Sequence, residues 1–331
     1  MIDEEKYNHS LEVLRLASQM SEQYYKKPLL ITYSGGKDSD VLLQLALESG
    51  IKFEVQNSHT TVDAPPTVYH IRETFGRLHE RGINASVFHS RYKDGRLITM
   101  WNLIEKKKYP PTRMARYCCL CLKETATPNR FIATGVRRAE SARRANREEF
   151  LTRSKTRDGE WYKGKSLAET EEVYKEAQEN DEVYDCLLIT QAKKNMDLVC
   201  NPILYWTDSD VWNFIKDRNI KVCDLYSMGF KRVGCVGCPM ASKRERERVR
   251  ALPGVQSQLH QGVRKDGQKC LYGRRGYNTG VDRERSLRLV DARPTPLWTD
   301  GTGGMARWRR VKFSTPTSPA KRFASIVPTP R

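Results

Sequence analysis

Short apolar runs alternate with amphipathic segments along the first two-thirds of the chain, and this alternation predicts its fold class. Helical spacing indicates a first helix over about 7–25, and a second helix follows the first apolar run and reaches about Ser49. We expect β-strands at about 29–33, 52–57, 85–89, 131–136 and 186–190. Because strands that alternate with helices form right-handed βαβ units, the pattern predicts an α/β protein whose mostly parallel sheet carries helices on both faces.

Three further segments complete this outline. Pro65 and Pro66 suit the first turn of a third helix. The stretch at about 151–183 is charged and poor in apolar residues, which predicts an excursion that carries a surface helix over Leu167–Glu179. Thr207 or Asp208 can cap a later helix, whose inward positions are Val211, Trp212, Phe214 and Ile215.

Composition narrows the class of protein. The chain has 331 residues, of which 38% are hydrophobic and 30% charged, enough for one large domain with or without an appendage. Its sequence contains no run of about 18 apolar residues, and its charged N-terminus, residues 1–6, is typical of a helix start rather than a signal peptide. Nine cysteines in such a chain favour a reducing compartment, so we expect a cytoplasmic protein without membrane association.

A glycine-rich loop lies between the first strand and the second helix. Its residues are Ser34, Gly35, Gly36, Lys37, Asp38 and Ser39. Glycines let the backbone approach a ligand closely, and the first turn of a helix offers an anion unpaired N–H groups and a positive dipole end. Two serine hydroxyls and the lysine charge add to this, so the loop suits a phosphate group. The spacing is not the Walker pattern, and the alternative is a glycine turn before an ordinary helix.

Basic residues follow the fourth predicted strand, at Arg137, Arg138 and Arg144, with Ser141 among them. Ligands in parallel sheets bind beyond the carboxyl ends of the strands, and arginine can bind phosphate or sulfate oxygens with two hydrogen bonds. We therefore expect these four residues to contact the ligand of the glycine-rich loop. The alternative is a solvated basic helix start with ion pairs such as Glu140 to Arg144.

Five cysteines form two local groups. Cys118, Cys119 and Cys121 lie within four positions, and Cys235 and Cys238 form a Cys-x-x-Cys pair with glycines beside them. Two thiolates from each group would suit zinc or a [4Fe–4S] cluster. The alternative is that they are buried as small apolar residues, which is the expectation for the isolated Cys186, Cys200 and Cys223.

In combination and in order, these motifs resemble the phosphoadenosine phosphosulfate reductase family of the PP-loop ATP pyrophosphatase superfamily. The resemblance covers about residues 25–248. It rests on the Ser-Gly-Gly-x-Asp-Ser loop at 34–39, the Arg116/Cys118/Lys123 block, the motifs at 134–144 and 202–212, and Cys235/Cys238. It implies an adenine nucleotide alpha hydrolase-like, Rossmann-like sandwich that binds an adenosine nucleotide at the PP-loop, residues 34–39.

The resemblance also implies cofactors and roles. ATP, or adenylyl sulfate, would bind at the PP-loop, with Lys37 on phosphate and Asp38 near a Mg²⁺ ion as the catalytic residues, and Arg137 and Arg138 would help to neutralise a leaving pyrophosphate. The cysteine pattern resembles the [4Fe–4S] ligands of adenylyl-sulfate reductases, with zinc as the alternative metal and Cys121 as an extra cysteine. It nominates Cys118, Cys119, Cys235 and Cys238.

One departure separates the branches of this family. The reductases use a nucleophilic cysteine in a C-terminal Glu-Cys-Gly-x-His segment, whereas Cys270 is the only cysteine after Cys238 here and lies in a different context. The chain is therefore closest in character to the ATP-pyrophosphatase-like component of DNA phosphorothioation systems. That branch implies adenylylation for sulfur transfer, with DNA or another nucleic acid as substrate and a cysteine desulfurase-like sulfur donor. A thioredoxin-dependent reductase and a non-catalytic nucleic-acid-binding module are the alternatives.

The chain changes character after Arg248. Residues 249–331 contain 17 Lys and Arg against 5 Asp and Glu, a net charge of +12 out of the chain's +18. Helical periodicity fades while Arg, Gly, Pro and Thr become frequent, and the stretch at 315–319 is typical of disorder. We predict a PP-loop domain over 1–248 and a basic tail over 249–331 that is disordered or frame-shifted.

Codon degeneracy supports a shift of one nucleotide in this tail. Residues 257–268 can be encoded so that the next frame reads Ala-Asn-Tyr-Ile-Lys-Ala-Phe-Glu-Lys-Met-Val-Lys, which has the spacing of an amphipathic helix. Residues 286–294 can likewise conceal Val-Phe-Asp-Trp-Trp-Met-Arg-Asp-Pro, which resembles family C-termini. Two such strings in one frame indicate a shifted translation of an ordinary C-terminus, and the basic charge of the tail is then accidental.

Sequencing the coding DNA tests the frame shift. We expect the codons of residues 257–268 and 286–294 to yield both strings when they are read in the next frame. A natural gene whose codons do not yield them contradicts the hypothesis, and the tail is then a genuine basic arm.

Overall fold

The computed structural model describes residues 3–124, 126–127, 129–153, 165–179, 197–250 and 252. Its strands are β1 (Leu29–Thr32), β2 (Phe53–Ser58), β3 (Ala85–Phe88), β4 (Phe131–Ala133), β5 (Phe150–Arg153) and β6 (Asp197–Cys200). Its α-helices are α1 (Glu4–Met20), α2 (Lys37–Glu48), α3 (Pro65–Glu80), α4 (Met100–Lys107), α5 (Tyr117–Leu122), α6 (Leu167–Glu179), α7 (Asp208–Asp217) and α8 (Lys243–Arg250). None of the helices in these ranges is long and apolar enough to cross a membrane.

One six-stranded sheet organises the chain, in the order β3-β2-β1-β4-β6-β5. Neighbouring strands are parallel except β5, which runs antiparallel to β6 at one edge. Leu29 and Ile31 of β1 belong to the main buried core, which also receives residues from α1, α2, α3 and α7. Leu30 between them lies in a separate buried cluster with Ile132 and Val199. Both faces of the sheet are therefore covered, and the predicted α/β fold with a mostly parallel sheet is confirmed.

The strand order brings the loops of the predicted nucleotide site together. Because β1 is the direct neighbour of β4, the PP-loop after β1 and the basic motif after β4 leave the same edge of the sheet. The register pairs Ile31 with Ala133, and the Thr32 hydroxyl donates to the Ala133 carbonyl at 2.8 Å. Both loops therefore begin at the same height along the sheet.

The sheet also shows where periodicity was insufficient. The strands predicted around β1, β2, β3 and β4 are present, although β4 ends at Ala133, and the strand predicted at 186–190 lies outside the described residues. Two further strands, β5 and β6, were not predicted from the sequence. β6 is buried at all four positions, so it lacks the alternation that marks a half-exposed strand.

The segment predicted as an excursion, at about 151–183, begins inside β5 and contains α6. The helix occupies Leu167–Glu179, the range predicted from the sequence, and Leu167 packs in the main core. Residues 154–164 of this segment lie outside the described residues.

The last described residues belong to the packed domain. Val249 and Leu252, just beyond the boundary predicted at 248, lie in a buried cluster with Leu225 and Phe230. The remainder of the predicted tail lies outside the described residues.

Candidate nucleotide site and cysteine cluster

The PP-loop closes around the side chain of Ser39. The backbone N–H groups of Ser34 and Gly36 donate to Ser39 Oγ at 3.3 and 3.1 Å, and the hydroxyl donates to the Gly36 carbonyl at 2.7 Å. Gly35 has a φ of +72°, and a Cβ there would lie 2.9 Å from Ile71 Cγ1. Glycine is therefore required at this position, and the loop is held in one shape at the N-terminus of α2.

The N-terminus of α2 faces Tyr226. The Lys37 N–H donates to the Tyr226 hydroxyl at 2.8 Å, and Trp212 packs edge-on against the Tyr226 ring with 5.4 Å between centroids. Burial raises the pKa of Tyr226, so the hydroxyl is neutral at physiological pH. Because a phosphate oxygen at a helix N-terminus accepts the same kind of hydrogen bond, this hydroxyl marks an acceptor position in the site.

Four charged side chains meet beside the loop. Arg137 is 2% exposed, and its guanidinium donates to the carboxylates of Asp38 and Asp208 at 2.7 Å each. Lys37 Nζ lies 3.2 Å from Asp38 and 3.3 Å from Asp208. Burial raises the pKa of Asp208, but the hydrogen bond from Arg137 and the charge of Lys37 outweigh this, so the pKa of Asp208 lies below its ordinary value. Two cations and two carboxylates thus form one closed network.

The loop after β4 presses directly on the start of α2. A Cβ on Gly135 would lie 2.9 Å from the Asp38 carbonyl oxygen and 3.3 Å from the Ser39 nitrogen. The absence of a side chain at this position lets Arg137, two residues later, reach Asp38.

The other residues predicted after β4 have different partners. The Arg138 guanidinium lies 4.8 Å from the centroid of the Tyr205 ring, donates to the Arg147 carbonyl at 2.9 Å and pairs with Glu148 at 3.2 Å. Arg144 pairs with Glu140, and Ser141 is exposed between two 3-10 turns, Arg138–Glu140 and Ala142–Arg144. Of this set, Arg137 is the residue that the structure brings to the PP-loop.

The two groups of cysteines come together beside the loop that follows β2. Cys118 and Cys119 lie in the first turn of α5. Cys235 and Cys238 lie in a turn in which the Cys238 N–H donates to the Cys235 carbonyl at 3.2 Å. A second hydrogen bond anchors this turn to the loop after β2, because the Val236 N–H donates to the Val62 carbonyl at 2.7 Å. Cys118 and Cys235 also pack against the same apolar cluster, which makes the two groups neighbours.

The charge environment of Cys119 favours a thiolate. The hydrogen bond with the Cys118 thiol and the guanidinium of Arg116, whose nitrogen lies 3.4 Å from Cys119 Sγ, lower the pKa of Cys119 to about 5. The same hydrogen bond, together with burial, raises the pKa of Cys118. A cation beside paired cysteines is a setting that stabilises metal-binding thiolates.

The fifth cysteine, Cys121, has different charged neighbours from the other four, although it packs against the same apolar cluster as Cys118 and Cys235. Charges on Cys235, Cys119 and Cys238 raise the pKa of Lys123, which therefore faces three predicted ligands. Burial raises the pKa of Cys121, and the charges that act on it belong to Lys107, Lys106 and Glu124. The thiols of Cys118, Cys119, Cys235 and Cys238 fit zinc or an iron–sulfur cluster in their chemistry. As they stand, no three His, Cys, Asp or Glu side chains in the described ranges are arranged to hold a metal ion.

Two groups of the nucleotide site escaped the sequence analysis, Asp208 and Tyr226. The sequence suggested Asp208 only as a helix cap, but Thr207 fills that role by accepting from the Asp210 N–H at 3.2 Å. Asp208 is left free to face Arg137. The sequence feature that could have pointed to Asp208 is its position eight residues after β6, at the carboxyl edge of the sheet. No motif pointed to Tyr226.

A family model described as the phosphoadenosine phosphosulfate reductase domain matches residues 28–241. The chain belongs to the phosphoadenosine phosphosulfate reductase family. The match contains the PP-loop, Arg137, Asp208 and both groups of cysteines, and it confirms the resemblance inferred from the motifs.

The curated relatives are similar to this chain either at modest sequence identity or over short segments. An uncharacterized protein of Methanocaldococcus jannaschii is 23% identical over 275 residues, which is 80% of this chain and 47% of the relative. An adenosine 5'-phosphosulfate reductase of Oceanobacillus iheyensis is 42% identical over 40 residues, 12% of this chain and 16% of the relative. The chain spans less than half the length of either relative.

Solved structures of two other proteins resemble the chain distantly. The phosphoadenylyl-sulfate reductase of Candida auris, in a phosphate complex, is 13% identical with a TM-score of 0.40, covering 68% of this chain and 87% of that one. The U34-tRNA thiolase NcsA of Methanococcus maripaludis, with its [4Fe-4S] cluster, is 16% identical with a TM-score of 0.37, covering 82% of each chain.

Replacing Gly135 with alanine is expected to destabilise the fold around the site. The new Cβ would meet the backbone of Asp38 and Ser39, which cannot move without shifting α2, and overpacking of this kind costs about 1–3 kcal/mol in the free energy of unfolding. Urea denaturation measures the free energy of unfolding of the variant and of the unchanged protein. Gly76→Ala is the matched control, because its Cβ meets no atom within 4 Å and alanine favours the middle of α3. Equal stabilities of the two variants would contradict the close approach.

Proposed function

We propose that the chain binds ATP at the PP-loop and activates an acceptor substrate by adenylylation with release of pyrophosphate, as part of a sulfur-transfer reaction. The observation that carries this proposal is the meeting of Lys37, Arg137 and the N-terminus of α2 at one edge of the sheet. A helix N-terminus with two buried cations suits a polyphosphate. Membership of the phosphoadenosine phosphosulfate reductase family supports the same site.

The residues match the charges of this reaction. Adenylylation forms a bond between the acceptor and the α-phosphorus of ATP and breaks the bond from that phosphorus to the oxygen of pyrophosphate, while the acceptor loses a proton to solvent. Negative charge grows on the departing pyrophosphate. Lys37, Arg137 and the backbone N–H groups of the PP-loop would stabilise that charge from fixed positions.

Asp38 would act on both the cations and the metal. Its carboxylate lies 2.7 Å from Arg137 and 3.2 Å from Lys37, so it orients both groups. Carboxylate oxygens are also the ligands that Mg²⁺ prefers beside phosphates, and we assign Mg²⁺ to Asp38. When bound, Mg²⁺ would neutralise part of the phosphate charge.

We assign an iron–sulfur cluster to Cys118, Cys119, Cys235 and Cys238, with zinc as the alternative. The all-thiol donor set and the nearby Arg116 and Lys123 support this assignment. When bound, the cluster would be held by one thiolate on each iron, and a desulfurase-like protein would be the sulfur donor.

Two other functions give different outcomes in simple assays. A thioredoxin-dependent reductase would release sulfite from adenylylated sulfate. A nucleic-acid-binding module without catalysis would depend on the basic tail, so its binding would be lost on deletion of residues 249–331. DNA or another nucleic acid as the acceptor is compatible with our proposal.

Lys37→Ala and Asp38→Ala are expected to lower ATP-dependent pyrophosphate release by about 100-fold or more. The first removes a cation that acts on the leaving group, and the second removes the carboxylate that orients Lys37 and Arg137 and would hold Mg²⁺. The measurement is pyrophosphate release with ATP, Mg²⁺ and candidate acceptors. Lys221→Ala is a matched control, because this exposed lysine pairs with Glu73 away from the loop. Pyrophosphate release that is unchanged in both PP-loop variants would contradict the proposal.

Protein purified without oxygen is expected to be brown, with a broad absorption near ~400 nm and about four irons per chain. Cys235→Ser should lose the colour and the iron. Cys121→Ser should keep both, because Cys121 lies in a different charge environment. A colourless protein with one zinc per chain would indicate a structural tetrahedral site instead.

A further inference from the structure

One carboxylate in the nucleotide site stands where a ligand oxygen would bind. Asp208 Oδ1 accepts a hydrogen bond from Arg137 at 2.7 Å and lies 3.3 Å from Lys37 Nζ. Phosphate oxygens make the same contacts with arginine and lysine. We infer that Asp208 is an internal competitor of the ligand: its carboxylate occupies a phosphate position, and a bound polyphosphate displaces it. This inference rests on the proposed nucleotide site.

The exposure of the four charged groups identifies Asp208 as the group to be displaced. The side chains of Arg137 and Lys37 are 2% and 8% exposed, and that of Asp38 is 23% exposed. The side chain of Asp208 is 74% exposed. Asp38 therefore holds the two cations from the protein side, whereas Asp208 covers them on the side from which a ligand arrives. A carboxylate this exposed returns to water at little cost when it leaves its partners.

The helix that carries Asp208 is anchored by other groups. Thr207 and Asp210 form a reciprocal cap, with hydrogen bonds of 2.8 and 3.2 Å between their side chains and backbone N–H groups. Asp210 also pairs with Lys6 at 2.7 Å. Trp206 is buried, and its indole N–H donates to the Ser10 hydroxyl at 3.0 Å. The start of α7 can therefore stay in place while the Asp208 side chain turns away.

Because the Asp208 carboxylate competes for Arg137 and Lys37, a ligand must carry enough negative charge to displace it. A ligand gains the two cations only by replacing a full negative charge, so a polyphosphate is favoured over a weakly charged group. The same competition weakens the binding of pyrophosphate itself, which favours its release after the reaction. Asp208 is thus a specificity-determining residue that tunes affinity without contributing to the fold of the loop.

The test compares Asp208→Asn with Asp217→Asn, using inorganic pyrophosphate without Mg²⁺ as the probe and calorimetry as the readout. Asparagine keeps the shape of the side chain and removes the competing charge. Asp217 is the matched control, because it lies in the same helix and pairs with Arg218 at 2.5 Å, away from the site. We expect Asp208→Asn to bind pyrophosphate at least about tenfold more tightly than the unchanged protein, and Asp217→Asn to match that protein.

The outcomes separate this inference from the function on which it rests. Asp208→Ala should also tighten binding, which guards against an effect peculiar to asparagine, and circular dichroism checks that each variant is folded. Unchanged or weaker binding by both Asp208 variants, with normal binding by the unchanged protein, overturns the inference and leaves the nucleotide site standing. Failure of every folded variant to bind pyrophosphate or ATP overturns both.

Discussion

The buried guanidinium of Arg137 is the interaction on which the candidate site depends. It joins its own loop to two segments that are distant in the sequence, by donating to Asp38 at the start of α2 and, around the start of α7, to Asp208 and to the Trp206 carbonyl at 3.2 Å. A buried charge needs partners that stay in place, and among the carboxylates this is Asp38, which is 23% exposed, rather than the 74% exposed Asp208. The order β1 next to β4 makes the network possible, because it starts both loops at one edge of the sheet.

Local sequence was sufficient to predict the strand, loop and helix around the PP-loop. The PP-loop could be predicted because Gly35 needs a left-handed backbone beside Ile71 and Ser39 closes the turn, and both requirements are met within six residues. The strand before the loop and the helix after it have clear periodicity. The α/β class followed from the alternation of such segments, and the sheet confirms it.

Contacts between side chains that are distant in the sequence could not be predicted from local patterns. Arg137 and Arg138 are adjacent and looked equivalent, but the backbone changes direction between them, because Arg137 is extended and Arg138 begins a 3-10 turn. Arg137 accordingly reaches Asp38, and Arg138 stacks on Tyr205 instead. Asp208 lies 71 residues from Arg137, so its role could only be found in the structure. β6 was missed because it is buried at all four positions and so has no alternation, and because, unlike β1, it is not followed by a glycine-rich motif that marks its end.

The segment from Cys223 to Cys238 links the two halves of the site. Its Tyr226 accepts the hydrogen bond of the Lys37 N–H, and its Cys235 lies 3.4 Å from Thr60 Oγ1 in the loop after β2. In the same segment Leu225 and Phe230 are buried in a cluster against which Tyr226, Val233 and Val236 pack. Because packed side chains shift together rather than singly, the helix N-terminus and the cysteine turn are held by one cluster. The geometry of the cysteines is therefore tied to that of the PP-loop through apolar packing.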